Sequence, residues 1–154
     1  MKYIKDQVNL EGKKVLLRLD LNVPLVNNNI IDETRIDKII PVIKFLLKKK
    51  SKILIISHIG RPKGKIKNDL SLKPVCLNLE KKINRKIKLI TLDLRELKKD
   101  KLFLNNNEDI IFLENIRFYK EEENNNDKFA KHLASFGDLY VNDAFSCSHR
   151  HHAS

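Results

Sequence analysis

A chain of 154 residues with 42% hydrophobic residues is long and apolar enough to bury one core, which excludes a disordered tail and sets one domain as the expectation. The balance of 31 basic to 20 acidic residues, a net charge of +11, turns attention to anionic partners: nucleic acid, acidic lipid or a small anionic substrate. Two cysteines, Cys76 and Cys147, exclude a disulfide framework. Residues Met1 to Asp6 lack the apolar core of a signal peptide, and no apolar run approaches the roughly 20 residues that span a bilayer. These features lead us to expect a soluble, cytoplasmic protein.

In chain order, Val15 to Asp20 reads as a buried strand. Glu33 to Lys50 reads as a helix with apolar positions Ile36, Ile39, Ile40, Ile43, Leu46 and Leu47, and Asp32 is placed to cap it. Pro41 lies inside this stretch and is expected to kink or divide it. Ile53 to Ser57 is a second apolar strand, followed by a loop from His58 to about Asp69. A helix from Leu72 to Ile83 follows, with Ser71 as its cap and Pro74 in its first turn. Then come a strand over Ile87 to Ile90, a helix over Leu94 to Leu104 and a strand over Asp109 to Leu113. A helix over Asp127 to Phe136 and a short strand over Leu139 to Val141 complete the series. The Asn clusters at 27–29, 105–107 and 124–126 read as polar loop tips. Strands that are continuous apolar runs and alternate with helices predict an α/β fold, a Rossmann-like parallel sheet sandwiched by helices.

Ligands of open α/β sheets bind beyond the carboxyl ends of the strands. The unusual residues fall there: Asp20-Leu21-Asn22-Val23-Pro24, His58-Ile59-Gly60-Arg61-Pro62, Glu114-Asn115-Ile116-Arg117-Phe118, and Asn142-Asp143-Ala144-Phe145 running on to His149-Arg150-His151-His152. Only seven of the 31 basic residues are Arg, yet five of those seven, Arg18, Arg35, Arg61, Arg117 and Arg150, lie at or near these ends. So do four of the five histidines, His58, His149, His151 and His152. The guanidinium fork binds carboxylate or phosphate bidentately, which an ammonium cannot do. The clustering predicts one pocket for a small, multiply charged anion rather than five separate surface ion pairs.

Competing motifs are weaker. Gly60 to Lys65 has too short a spacing between glycines for a nucleotide phosphate loop, and Ile66 stands where Ser or Thr would bind magnesium. Cys147, His149, His151 and His152 match no standard zinc spacing, so no metal site is expected. Cys76, Cys147, Phe118 and Tyr119 read as packing residues and His132 as helix surface or boundary. A basic, non-catalytic nucleic-acid-binding module remains the alternative, though no aromatic stacking platform supports it.

Five segments resemble the signature blocks of the phosphoglycerate kinase family: Arg18 to Pro24, Thr34 to Ile36, Ser57 to Pro62, Leu113 to Phe118 and Tyr140 to Phe145. The closing His149 to Ser154 is similar to a sixth, with His151 where the family often has Ala. The blocks stand in the family's order. The resemblance implies reversible phosphoryl transfer between ATP and the carboxylate of 3-phosphoglycerate, giving 1,3-bisphosphoglycerate and ADP, a step of glycolysis run by a monomeric two-lobed enzyme with Mg-ATP. It implies that residues 1–154 form the acid-substrate lobe, incomplete at its C-terminal end. The lobe that binds Mg-ATP or ADP would be missing, so no cofactor is expected on this chain and the fragment alone is expected to be inactive. No nucleic-acid or membrane partner is implied. By motif, Asp20, Leu21 and Asn22 would bind the glycerate portion. His58, Ile59, Gly60, Arg61, Arg117 and Arg150 would line the phosphate side. Arg35 would be the catalytic arginine, and Arg18 and His149 would support the basic patch.

Overall fold

The computed structural model describes residues 4–6, 9–105, 107–144 and 151–154. In chain order it contains β1 (Lys14–Leu19), a hairpin of β2 (Leu25–Val26) and β3 (Asn29–Ile30), α1 (Thr34–Lys48), β4 (Lys52–Ile56) and α2 (Lys73–Ile83). There follow β5 (Lys88–Ile90), β6 (Ile110–Leu113), α3 (Lys120–Glu123), α4 (Asp127–Ala134) and β7 (Leu139–Asp143). The main sheet is parallel throughout, in the order β5-β6-β4-β1-β7.

Side chains alternate across a strand, so a strand buried on both faces must be apolar at every position. Val15, Leu17, Leu19, Ile53 and Ile55 pack toward α1 and α2, with Ile36, Ile43, Leu46 and Leu79. Leu16, Leu54, Ile56, Ile111 and Leu113 pack on the other face with Leu94, Leu97, Phe129, Leu133 and Phe136. Cys76, Phe118 and Tyr119 are buried in these layers, as expected from sequence. Each such large apolar side chain contributes roughly 1.5–3 kcal/mol when removed from water. Among the described residues, no helix is long and apolar enough to cross a membrane.

Two sequence expectations are corrected. Pro41 does not divide α1, which runs unbroken from Thr34 to Lys48. Pro41 is exposed, so its missing N–H falls on the solvent side of the helix, where the lost bond is least costly. The helix expected over Leu94 to Leu104 does not form. Asp93 Oδ1 accepts the backbone N–H of Arg95 at 2.9 Å, the same local bond found at the starts of α1 and α2, but the turn does not propagate and only a 3₁₀ turn at Lys99–Lys101 remains. Leu94, Leu97 and Leu102 are nonetheless buried against the sheet. The Asn27–Asn29 loop tip is a polar turn, as expected, and it closes a hairpin that the sequence reading did not include. Asn27 and Asn28 have φ of 49° and 61°, the left-handed pair that a two-residue type I′ turn requires and that Asn tolerates.

Helix starts follow the expected residues, one position displaced. Asp32 Oδ1 accepts the N–H of Thr34 at 2.8 Å, and Ser71 Oγ accepts that of Lys73 at 3.1 Å. Asn126, in the third Asn cluster, caps α4 through a 3.0 Å bond from the N–H of Phe129.

Candidate functional site

The three described loops that sequence singled out, after β1, β4 and β6, leave the sheet at its carboxyl edge, because these strands run parallel. Backbone and side-chain bonds then tie the loops together. Ser57 Oγ donates to the carbonyl of Leu19 at 2.8 Å and accepts the N–H of Leu21 at 3.2 Å, joining the ends of β1 and β4. Asn22 Oδ1 accepts the N–H of Gly60 at 2.8 Å. Asn115, fully buried, donates from Nδ2 to the carbonyls of Ile59 at 2.8 Å and Leu70 at 2.9 Å. Gly64 N–H reaches the carbonyl of Arg117 at 3.1 Å. Gly60 has φ +62°, and a Cβ there would lie 2.7 Å from a Leu70 methyl, so a side chain at this turn would be strained and would have to displace Leu70.

On this frame the charged residues divide into two layers. Arg35, in the first turn of α1, is exposed and forms an ion pair from Nη1 to Asp20 Oδ2. Beneath it, Arg18, His58 and Arg117 are buried, with 2%, 3% and 3% exposure. Arg18 donates from Nη1 to the carbonyl of Leu19 at 2.8 Å, and its Nη2 lies 3.1 Å from His58 Nδ1. Burial is the main force pushing the His58 pKa down, to about 3, and the positive charges of Arg117 and Arg18 push the same way. His58 is therefore neutral near pH 7. Arg117 bonds through its backbone N–H to Asn115 Oδ1 at 3.1 Å, but its buried Nε and Nη2 have no hydrogen-bond partner among the described residues. A buried, unmatched guanidinium is costly unless an anion meets it.

Asp20, Asn22, Arg35, His58, Gly60 and Arg117 are thus brought to one edge with Arg18, Leu21 and Ile59. Leu21 and Ile59 are buried, at 0% and 2% exposure, so their side chains anchor the loops and leave only backbone to face the site. Arg61 lies in the same loop, with its side chain exposed and joined to no partner among the described residues. Arg150 and His149 lie outside the described residues, as does Cys147. An open cleft of about 770 Å³ adjoins the Asn22–Gly60 bond, lined also by Ile59, Leu70 and Asp69 but by none of the arginines.

Sequence reasoning missed several supports. Glu114 was placed among the strand-end residues without a role. It accepts the N–H groups of Leu72 at 2.7 Å and Asn115 at 2.8 Å and the Ser71 hydroxyl at 2.6 Å, so its carboxylate sits on the N-terminus of α2. Ser57 and Asn115 were legible only as polar residues inside apolar surroundings. Glu122, fully buried in the unforeseen α3, carried no signal beyond a charge in an acidic run. His132, read as boundary, is half-buried and bonds from Nε2 to the carbonyl of Leu94 at 2.8 Å. Among the described residues no three His, Cys, Asp or Glu side chains are grouped as metal ligands.

Comparison with known proteins matches this arrangement. The phosphoglycerate kinase family model covers residues 4–154. Curated relatives include the phosphoglycerate kinases of Wolbachia pipientis wMel, 50% identical over 97% of this chain, and Prochlorococcus marinus strain MIT 9515, 46% identical over the same share. The chain spans 37% of the length of each. Among solved structures, the phosphoglycerate kinase of Coxiella burnetii superposes with a TM-score of 0.87 at 38% identity, over 98% of this chain and 37% of its own. That of Pyrococcus horikoshii OT3 superposes with a TM-score of 0.85 at 27% identity, over 99% and 39%. These matches do not favour the nucleic-acid-binding alternative. With a family match over nearly all its residues, and with the same fold in solved members, the chain belongs to the phosphoglycerate kinase family.

Proposed function

We propose that this chain holds 3-phosphoglycerate for phosphoryl exchange with Mg-ATP. The single observation that carries the proposal is Arg117: a guanidinium only 3% exposed whose Nε and Nη2 lack partners among the described residues. A cation so placed selects an anionic ligand, and its fork suits a phosphate. In this reading Asp20, Leu21 and Asn22 orient the glycerate. His58, Ile59, Gly60, Arg61, Arg117 and Arg150 receive the 3-phosphate side, and Arg18 and His149 complete the basic patch. Arg35, more exposed, serves the charge on the phosphoryl group in flight.

The chemistry needs little more from these residues. The substrate carboxylate oxygen attacks the γ-phosphorus, the bond to the bridging oxygen of ADP breaks, and ADP leaves with that electron pair. The nucleophile is ionised at neutral pH, so no general base is required, and catalysis rests on positioning and electrostatic stabilisation. The resemblance to the family assigns Mg²⁺ and the nucleotide to the second lobe of its members. In the same reading the protein works as a cytoplasmic monomer with no nucleic-acid or membrane partner.

Calorimetric titration of the chain with 3-phosphoglycerate, and separately with Mg-ATP, tests the proposal. The expected result is weak, saturable binding of the acid, none of the nucleotide, and no turnover in a coupled kinase assay. Nucleotide binding tighter than that of the acid would overturn the assignment.

A further inference from the structure

Behind His58 runs a chain of polar contacts that ends in a buried acid. Glu122, in α3, has no exposed surface. Its Oε1 accepts the Ser154 hydroxyl at 2.7 Å, and its backbone carbonyl accepts the N–H of Ala153 at 2.9 Å. Ser154 Oγ in turn accepts from Arg18 Nε at 3.0 Å, and Arg18 Nη2 lies 3.1 Å from His58 Nδ1. The partners stand 32, 136 and 40 residues apart in sequence, so only the tertiary fold makes this relay.

Each step has a direction. A hydroxyl has one proton. Given to Glu122, it leaves only lone pairs facing Arg18, which suits Nε–H. Arg18 is then held at Nε by Ser154, at Nη1 by the Leu19 carbonyl and at Nη2 by His58, three bonds that fix the guanidinium plane. Arginine can only donate, so His58 Nδ1 must accept, and the ring proton must sit on Nε2. We propose that Glu122 and Ser154 are positioning residues: through Arg18 they lock His58 in the Nε2–H tautomer, so that it meets an anion as a hydrogen-bond donor.

The alternative is that Glu122 merely offsets the charge of Arg18 and Arg117. Charge neutralisation alone does not need the serine, whereas the relay does. The groups whose charge reaches His58 are Arg117, Arg18 and His152, which oppose its protonation, and Asp20, which favours it. The proposal rests on the role given above to His58 in holding the anion, but the tautomer can be read without any ligand.

Two-bond ¹⁵N correlation spectra of the histidine-labelled chain report that tautomer at pH 7.5. The wild type should show His58 as a single Nε2–H form. Ser154→Ala should give a mixture of tautomers with an unchanged amide spectrum, and should weaken 3-phosphoglycerate binding about fivefold, the worth of one net hydrogen bond. Ser154→Thr keeps the hydroxyl and should restore both. A wild-type His58 in the Nδ1–H or cationic form overturns the inference whether or not the variants fold. An unchanged tautomer in Ser154→Ala overturns it equally. The expected tautomers without any binding of 3-phosphoglycerate would support the positioning role and sink the substrate reading instead.

Discussion

The two ends of the sheet handle charge in opposite ways. At the amino ends of the strands two lysines are paired within the chain. Lys52 meets Asp109 at 3.0 Å, and Lys88 meets Glu108 at 2.9 Å. At the carboxyl ends the cations are arginines, and one of the two buried ones, Arg117, has two nitrogens without a hydrogen-bond partner among the described residues. Charge that is matched within the chain stabilises the fold. Charge that is buried without a match costs stability and is retained where a ligand completes it. Under the proposed reading, the matched lysines support the fold and Arg117 awaits an anion.

The strongest way to break it is Arg117→Met, which keeps an apolar stem and removes the charge. Binding of 3-phosphoglycerate should fall by about 100-fold, as expected when one partner of a buried charge pair is lost. Thermal stability should hold or rise, because two buried nitrogens without hydrogen-bond partners among the described residues have gone. Calorimetry and a thermal melt on the same sample check both. A large loss of stability with unchanged binding would place Arg117 among the structural cations.

His58 sharpens the comparison through pH. Its folded pKa, about 3, lies below the ordinary value of 6.5, so below pH 6.5 the unfolded chain takes up a proton that the folded chain refuses. Stability from this group is complete above pH 6.5 and falls as the pH drops toward 3. The slope approaches about 1.4 kcal/mol per pH unit. Glu122 acts oppositely, since burial raises its pKa and favours proton uptake by the folded state. Asp32, Glu33, Asp93 and Glu108, all held below their ordinary values by hydrogen bonds, lose their contributions only in the more acidic part of this range. Urea midpoints between pH 7.5 and 5.0 should decline in the wild type, and less steeply in His58→Gln. Parallel pH curves would mean that His58 is charged in the folded state.

The carboxyl-edge cluster was legible because two independent sequence signals coincide there: apolar runs that mark strands, and arginines that are scarce elsewhere. Arg18 shows why even a strand-interior residue could be included, since it stands one position before the end of β1. Side-chain direction was not legible. Arg61 and Arg117 follow their strands in similar motifs, yet one is exposed and the other buried, because the Asn115 turn folds Arg117 inward. Glu122 was invisible for a related reason. Its partners Ser154 and Arg18 lie far away in sequence, and local pattern carries no information about which charge of an acidic run faces inward. The missed hairpin and the failed helix after β5 mark the same limit, since two-residue strands and a helix-like turn that does not propagate fall below the reach of periodicity.

The smallest expected effect lies at the other end of the sheet, and it completes the contrast. Lys52 begins β4 beside Lys14 of β1 and is about one quarter exposed, donating to Asp109 and to the carbonyl of Glu108 at 2.9 Å. Water still reaches this pair, so salt screens it and its net worth is that of a surface ion pair, up to about 1 kcal/mol. Lys52→Met keeps the stem that covers the strand end. It should lower stability by no more than that amount, and the loss should shrink at high salt. Affinity for 3-phosphoglycerate should be unchanged, because the pair stands at the opposite ends of the strands from Arg117. Urea titrations at low and high salt, run beside calorimetry, check both halves. If Lys52→Met weakened binding as Arg117→Met does, net positive charge rather than a formed site would be holding the anion, and the distinction between the two ends would fail.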